Sequence, residues 1–323
     1  AGNATSAASS SSAASITADG SSTSTITTVI TDANGNPVSA GVTVNWVTTD
    51  GTLDHATSVT NDKGEATVVI TSPTTAGSGT VTASTGSVTD STTVIFTPGA
   101  ATALAVEASP AAITADGVTT STLSATLKDA HGNAVVAGTT VNWATTLGHL
   151  ANATSTTNAS GVATVVLTSA KTAGKASVTA TVGAVKTAAS VTFTAGNAAS
   201  ATSNTSAASI TADGTSTSTI TTVITDANGN PVGAGVTVNW TATDGTLDHA
   251  TSVTNDKGEA TVVITSPTTA GSGTVTASTG SVTDSVTITF TPGVSAALSV
   301  AASPASITAD GASTSTLSAT IKD

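Results

Sequence analysis

The chain has 323 residues and a net charge of −12, yet only 8% of its residues are charged. None of its seven basic residues is Arg, which argues against a nucleic-acid partner, because phosphates are neutralised by Lys and Arg together. It has no Cys, which excludes disulfides, thiolate metal sites and thiol nucleophiles, and no apolar run is long enough for a membrane-spanning helix or a signal peptide, so no membrane insertion is expected in this segment.

The hexapeptide Gly41-Val42-Thr43-Val44-Asn45-Trp46 returns at 235–240 and, with Thr139 in the place of Val42, at 138–143. Trp46, Trp143 and Trp240 are therefore spaced by 97 residues (143 − 46 and 240 − 143), the mark of a tandem array. Three units are expected at 1–97, 98–194 and 195–291. A fourth, at 292–323, breaks off at Lys322-Asp323, where the second unit runs on from Lys128-Asp129 toward Trp143, so a segment of a longer array is expected. Seven acids against Lys63 leave the first unit at −6, and the third repeats this; Lys128, Lys171, Lys175 and Lys186 bring the second to +1. Acidic type one units thus alternate with a nearly neutral type two unit.

Residues 25–31 are a β-branched run, and their copy at 123–127 places Ile26, Thr28 and Ile30 inward. The run stops at Asp32-Ala33-Asn34-Gly35-Asn36-Pro37, where Asx turns, a Gly and a Pro all break a strand. The central strand follows, with Val42, Val44 and Trp46 on one face and Thr43 and Asn45 on the other. A strand at 56–60 leads through Asn61-Asp62-Lys63-Gly64 to another at 65–71, with Ala66, Val68 and Ile70 inward. After a loop at 72–77 come strands at 80–84 and 88–96. There Phe96 joins Trp46 in the expected core, as Phe193 joins Trp143 and Phe290 joins Trp240. About seven short strands per unit, with turn signals every ~8–12 residues and no helical period, predict an all-β fold of tandem immunoglobulin-like β-sandwich domains arranged end to end as a rod.

Short connectors such as Thr97-Pro98-Gly99-Ala100-Ala101-Thr102-Ala103 favour end-to-end stacking. The type two unit offers Leu104, Val106 and Ala108 for a first strand, whereas a type one unit offers Ala201 and Ser203. The joint ahead of a type one unit is therefore expected to be the more flexible. Residues 50–91 and 244–285 are identical, so like units stand next-door-but-one, either by duplication of a two-domain block or to separate strands that could exchange during folding.

Little catalytic chemistry is on offer. Asp54-His55 could serve an acyl-transfer constellation, but adjacent strand residues point to opposite faces and the second unit has Asn152 in place of His55, so a solvated turn histidine is expected. No two acids sit in an aromatic-lined cleft, as glycosidic chemistry would need. Asp32, Asn34 and Asn36 resemble the first half of a calcium loop; without a closing Glu, and with His131 replacing Asn34 in type two, the Asx-turn reading is better and no cofactor is expected. An isopeptide crosslink needs a buried Lys, and Lys63 lies in a turn. Asn3, Asn152, Asn158 and Asn204 head glycosylation sequons, a spacing that Ser/Thr-rich chains produce by chance.

Ser-Pro-x-x-Ile-Thr-Ala-Asp-Gly-x-x-Thr-Ser-Thr at 109–122, Asp-Ala-x-Gly-Asn at 32–36, Val-Asn-Trp, Ala-Thr-Ser-x-Thr-Asn-x-x-Gly-x-Ala-Thr-Val at 56–68 and Thr-Ala-Gly at 75–77 resemble the group-one bacterial immunoglobulin-like domain. That family forms the stalks of intimin- and invasin-like surface adhesins. The resemblance implies a non-enzymatic, extracellular array on a bacterial cell surface that spaces a binding tip from the membrane. Its partners would be neighbouring domains of the array, with a host or surface receptor met only through regions not in this chain. Strand faces rich in Thr and poor in charge suggest an alternative, a self-associating filament, sheath or biofilm matrix in which copies pack laterally, staggered by one unit so that acidic units face Lys-bearing ones. A carbohydrate-binding module is a lesser alternative, since every ring is assigned to the core and no Tyr exists to stack on sugar.

Overall fold

Residues 23–31, Thr-Ser-Thr-Ile-Thr-Thr-Val-Ile-Thr, bury every second side chain along their length. That period of two, in a β-branched run, makes them a strand packed on one face. The computed structural model describes residues 2–323 and contains strands and no helix among them. The first repeat holds β1 (Ser6–Ser11), β2 (Ser15–Thr17), β3 (Thr23–Thr31), β4 (Thr43–Thr48), β5 (Thr52–Leu53), β6 (Thr57–Val59), β7 (Glu65–Thr71), β8 (Gly77–Thr85) and β9 (Val88–Thr97). Nine strands replace the expected seven because β2 and β5, pieces of three and two residues, are additional; the strand expected at 56–60 is β6. They form two sheets, β1-β3-β7-β5 and β2-β9-β8-β4-β6, in which only β2 runs parallel to its neighbour β9. The same pair of sheets recurs in the second repeat from β10 (Ala103–Ser109) to β18 (Val185–Thr194) and in the third from β19 (Ser200–Thr205) to β27 (Val282–Thr291). By internal contacts the chain falls into two compact units. One comprises residues up to Ile113, Thr120–Ser169 and Lys175–Thr192; the other comprises Thr114–Thr119, Ala170–Gly174 and Phe193–Asp323.

Each sandwich closes on its own apolar centre. Trp46, Trp143 and Trp240 are 3%, 5% and 3% exposed, and Phe96, Phe193 and Phe290 are each at 1%. A buried indole N–H needs an acceptor. Ser58 on β6 supplies it, taking the Trp46 Nε1–H at 2.8 Å, as Ser155 and Ser252 do for Trp143 and Trp240. Val42 is half-buried just ahead of β4 and packs against the margin of the core rather than extending the strand. The Phe96 ring lies against Gly79, where an added Cβ would come within 2.9 Å of it and 2.5 Å of the Asp50 carbonyl oxygen.

Thr28, fully buried, is a polar group among apolar ones and is satisfied within the sandwich. Its hydroxyl hydrogen-bonds that of Ser9 at 2.7 Å, and the Ser9 N–H donates to the Asp90 carboxylate at 2.6 Å. Ser203, Thr222 and Asp284 repeat the set at the same distances. The type two sandwich has Val106, Ala125 and Thr187 at these positions. The polar and apolar sets differ as whole sets, because half of either network would leave a buried group unpaired.

The last strands, β28 (Ala297–Ser303) and β29 (Thr316–Lys322), pair with each other alone. Leu317 and Ile321 are 71% and 65% exposed, whereas their counterparts Leu123 and Leu127 are fully buried under a second sheet.

Trp46→Ala should cost its own sandwich ~3–5 kcal/mol, a large part of a domain stability of ~5–15 kcal/mol. Calorimetry should then show one early transition with the others in place; a single endotherm lowered as a whole would contradict separate cores.

Candidate functional site at the joints

Asp32 lies where β3 ends, and its short carboxylate reaches back to its own turn. Oδ1 accepts the N–H groups of Asn34 and Asn36, both at 3.0 Å, and Oδ2 accepts the Gly2 N–H at 2.9 Å. Asp129 holds Gly99, Asp226 holds Gly196 and Asp323 holds Gly293 in the same way, at 2.9, 2.8 and 2.7 Å. One aspartate per repeat, buried in the first three and exposed at Asp323, thus pins the linker. Of the calcium candidates, Asp32 is buried with both oxygens turned to N–H donors, and Asn34 and Asn36 are exposed. A cation needs those same lone pairs, so the donor set does not fit one. No cluster of three or more His, Cys, Asp or Glu occurs among the described residues.

The third residue of the motif does what the sequence reading missed. Asn133, held by Asp129, reaches into the preceding sandwich: its Nδ2 donates to the Thr74 carbonyl at 2.8 Å and its Oδ1 accepts the Ala76 N–H at 3.0 Å. In the other compact unit Asn230 makes the same clasp with the Lys171 carbonyl and the Ala173 N–H, both at 2.8 Å. An amide is suited to this, since a donor and an acceptor on one planar group match a C=O and an N–H two residues apart. The Asp-x-Asn-x-Asn spacing was visible in the sequence; nothing local revealed that its last amide points across the joint.

The loop that receives the clasp is shaped by the Ala-Asp-Gly motif. Asp19 Oδ1 accepts the N–H groups of Ser21 and Ser22, its Oδ2 accepts the Ser22 hydroxyl, and the Ser72 hydroxyl adds a bond at 3.3 Å. The Ser22 hydroxyl and N–H, with the Ser21 N–H, hold the Asp19 carboxyl well below the usual range. Gly20, at φ +75°, donates its N–H to the Pro73 carbonyl and so ties the two loops of that pole together.

The expectation of a looser joint ahead of a type one unit meets an opposing fact. Asn228, where type two has His131, donates to the Ala115 carbonyl at 3.1 Å, an added bond at that joint. The first strand of that unit also forms, over six residues against seven for β10.

Asp54 and His55 are exposed between strands, as expected, but their side chains do not diverge. His55 Nδ1 lies 2.9 Å from Asp54 Oδ1, the Val69 N–H donates to the same oxygen at 3.0 Å, and His55 Nε2 meets the Thr67 carbonyl at 3.0 Å. Both side chains bend onto the outer edge of β7 beyond the end of β5 and occupy its backbone groups. Asp248 and His249 repeat this on the third sandwich.

Burial pushes the Asp129 carboxyl up, but hydrogen bonds from the Asn133 amide and from the Gly99, Asn133 and His131 N–H groups outweigh it and bring it to about 2, from an ordinary 3.8. Because the folded value is the lower one, the stability it contributes is complete above the ordinary value and is lost as pH falls from 3.8 toward 2. An NMR titration should place the Asp129 carboxyl near 2, with protection of the Gly99 N–H falling in the same window; a midpoint at 3.8 would refute the latch.

Comparison with known proteins agrees with this construction. The family profile described as "Invasin, domain 3" matches residues 3–99 and 100–196, and that described as "Bacterial Ig-like domain (group 1)" matches 200–291. The crystal structure of invasin, described as a bacterial integrin-binding protein, is 26% identical with a TM-score of 0.55 over 88% of this chain, which spans 60% of that structure. The Escherichia coli adhesin FdeC (21% identity, TM-score 0.57, covering 90% of this chain and 99% of that one) and Yersinia pseudotuberculosis InvD (20%, 0.55, 88% and 96%) share the fold. With three consecutive matches along most of its length, this chain belongs to the invasin-type, group-one bacterial immunoglobulin-like domain family of adhesins.

Proposed function

We propose that the chain is a non-enzymatic spacer segment of a bacterial surface adhesin, extracellular, holding a receptor-binding region away from the cell and meeting receptors only through parts of the protein outside these repeats. The observation that carries this reading is the asparagine clasp. The family motifs of this chain converge on the joints, where Asp129 and Asp226 position Asn133 and Asn230 against the preceding sandwich, rather than on a cleft with nucleophile, base or metal ligands. A spacer needs joints that resist bending more than it needs any reactive group.

The burial of all six rings supports this over a carbohydrate-binding module, because sugar stacking needs an exposed aromatic face and each Trp and Phe is at most 5% exposed. The engagement of Asp54 and His55 with the β7 edge supports a non-catalytic role for that pair.

Asn133→Ala with Asn230→Ala removes both cross-joint bonds of each clasp. At ~0.5–1.5 kcal/mol per bond, each joint should shift roughly tenfold or more toward open arrangements. Small-angle scattering should report a broader distribution of long dimensions in the double variant, with the melting temperatures of the sandwiches nearly unchanged. If the unaltered chain already samples the breadth of the variant, the joints are not stiffened by these bonds and the spacer reading loses its support.

A further inference from the structure

Residues 22–38 and 216–232 are identical, and each stretch ends a strand in the turn Asp-Ala-Asn-Gly-Asn-Pro. Conformation fixes the glycine of that turn: Gly35 at φ +77° and Gly229 at φ +82° lie in the left-handed region, although an added Cβ would meet nothing within 4 Å. The turn therefore sets a residue without a side chain directly after an exposed asparagine, Asn34 or Asn228, and these are the only two Asn-Gly pairs in the sequence. Such a pair can react with itself, because the glycine nitrogen can close a five-membered ring on the asparagine side-chain carbon with no Cβ in the way. Type two puts His131 ahead of Gly132, and an imidazole has no amide to lose. Locally the two turns match. The Asn34 and Asn228 N–H groups donate to Oδ1 of Asp32 and Asp226 at 3.0 and 2.8 Å, and the Gly35 and Gly229 N–H groups to the carbonyls of the same aspartates at 2.9 and 3.1 Å. The difference is tertiary. Asn228 Nδ2 donates to the Ala115 carbonyl at the joint, and Asn230 beside it holds the Lys171 carbonyl and the Ala173 N–H, whereas among the described residues the Asn34 Nδ2 meets no carbonyl.

We propose that Asn228 is a self-modification site, an asparagine whose deamidation permanently loosens the joint ahead of the third sandwich and whose reaction the intact joint restrains. Gly229 N, its proton passed to a solvent base, attacks Asn228 Cγ; the Cγ–Nδ2 bond breaks and Nδ2 leaves as ammonia. Water then opens the cyclic imide at either carbonyl, giving aspartate or isoaspartate. In sum an amide and water become a carboxylate and ammonium, with nothing oxidised or reduced. The reaction requires the Gly229 N–H to leave the Asp226 carbonyl and the Asn228 amide to leave the Ala115 carbonyl. Asn228 thus reacts when both turn and joint open, Asn34 when its turn alone opens. The product cannot restore the joint. A carboxylate at 228 has no hydrogen to give the Ala115 carbonyl and sets lone pairs against lone pairs. Isoaspartate lengthens the backbone by one carbon inside the turn that aims Asn230 at Lys171 and Ala173. The joint ahead of the second sandwich, with His131 at this position, is exempt. Whether the array is a spacer does not enter, since the rates at two asparagines depend on how often turn and joint open.

The test is incubation of the full chain at mildly alkaline pH, with conversion at each asparagine followed by peptide mass mapping. Because the two turns share one sequence, Asn34 is the internal reference. It should deamidate first, and Asn228 ~2–10-fold more slowly, the factor that one cross-joint hydrogen bond supplies. An Asn34→His chain, which copies the type two turn, leaves Asn228-Gly229 as its one Asn-Gly pair, and anion exchange then separates molecules that have gained a carboxylate at 228. In these, exchange of the Ala173 N–H, which Asn230 accepts across the joint, should quicken at least ~2-fold, while that of the Ala76 N–H, which Asn133 accepts, stays as it was. A chain with both Asn34→His and Asn228→His, aged alike, should show no change at Ala173. Equal rates at Asn34 and Asn228 would mean that the joint restrains nothing. An Asn228 still intact after Asn34 is fully converted would remove the site, and unchanged Ala173 exchange after conversion would remove its effect on the joint. Each of these results would overturn the proposal.

Discussion

A carboxylate that faces only N–H groups holds the head of every repeat. Asp129 is nearly buried, yet it stays ionised because donors from its own turn, from the linker and from Asn133 converge on its two oxygens. An acceptor-only group is needed there, since an amide would present hydrogens to hydrogens. With the turn rigid, the Asn133 side chain has one orientation available, and its clasp on the previous sandwich loses little further side-chain entropy.

Two levels of stability are thereby separated. Trp46 and Phe96 bury large rings inside one sandwich, so the hydrophobic term is spent within each repeat. Each clasp adds two polar bonds across a joint, where a bond contributes of the order of 1 kcal/mol. Sandwiches should therefore survive when a joint opens, the ordering expected where each repeat holds its own core and neighbours meet at small interfaces.

The uneven charge of the repeats acquires a local meaning. Asp54 and Asp90 distinguish the acidic units from the neutral one, and each pins backbone N–H groups at a strand edge: Val69 on β7 and Ser9 on β1. Their counterparts Ala151 and Thr187 cannot carry a charge. Two of the seven charges that separate a unit of −6 from one of +1 thus serve to hold strand-edge N–H groups.

The 97-residue period, the two-residue alternation of the strands and the single Trp of each unit were legible in the sequence because they follow from local spacing and burial. The joint turns were legible too, since Asp, Asn, Gly and Pro act on their own backbone. What only the tertiary structure decided was where a side chain ends once its turn has formed. Asn133 meets Thr74, 59 residues away, and His55 meets Thr67 across a strand gap. Neither partner is marked by residue type, because both offer backbone carbonyls that any residue carries. Local pattern therefore specifies the sandwiches, and only folding, by bringing anonymous peptide groups within reach of particular amides and imidazoles, specifies how they are joined and which edges are closed.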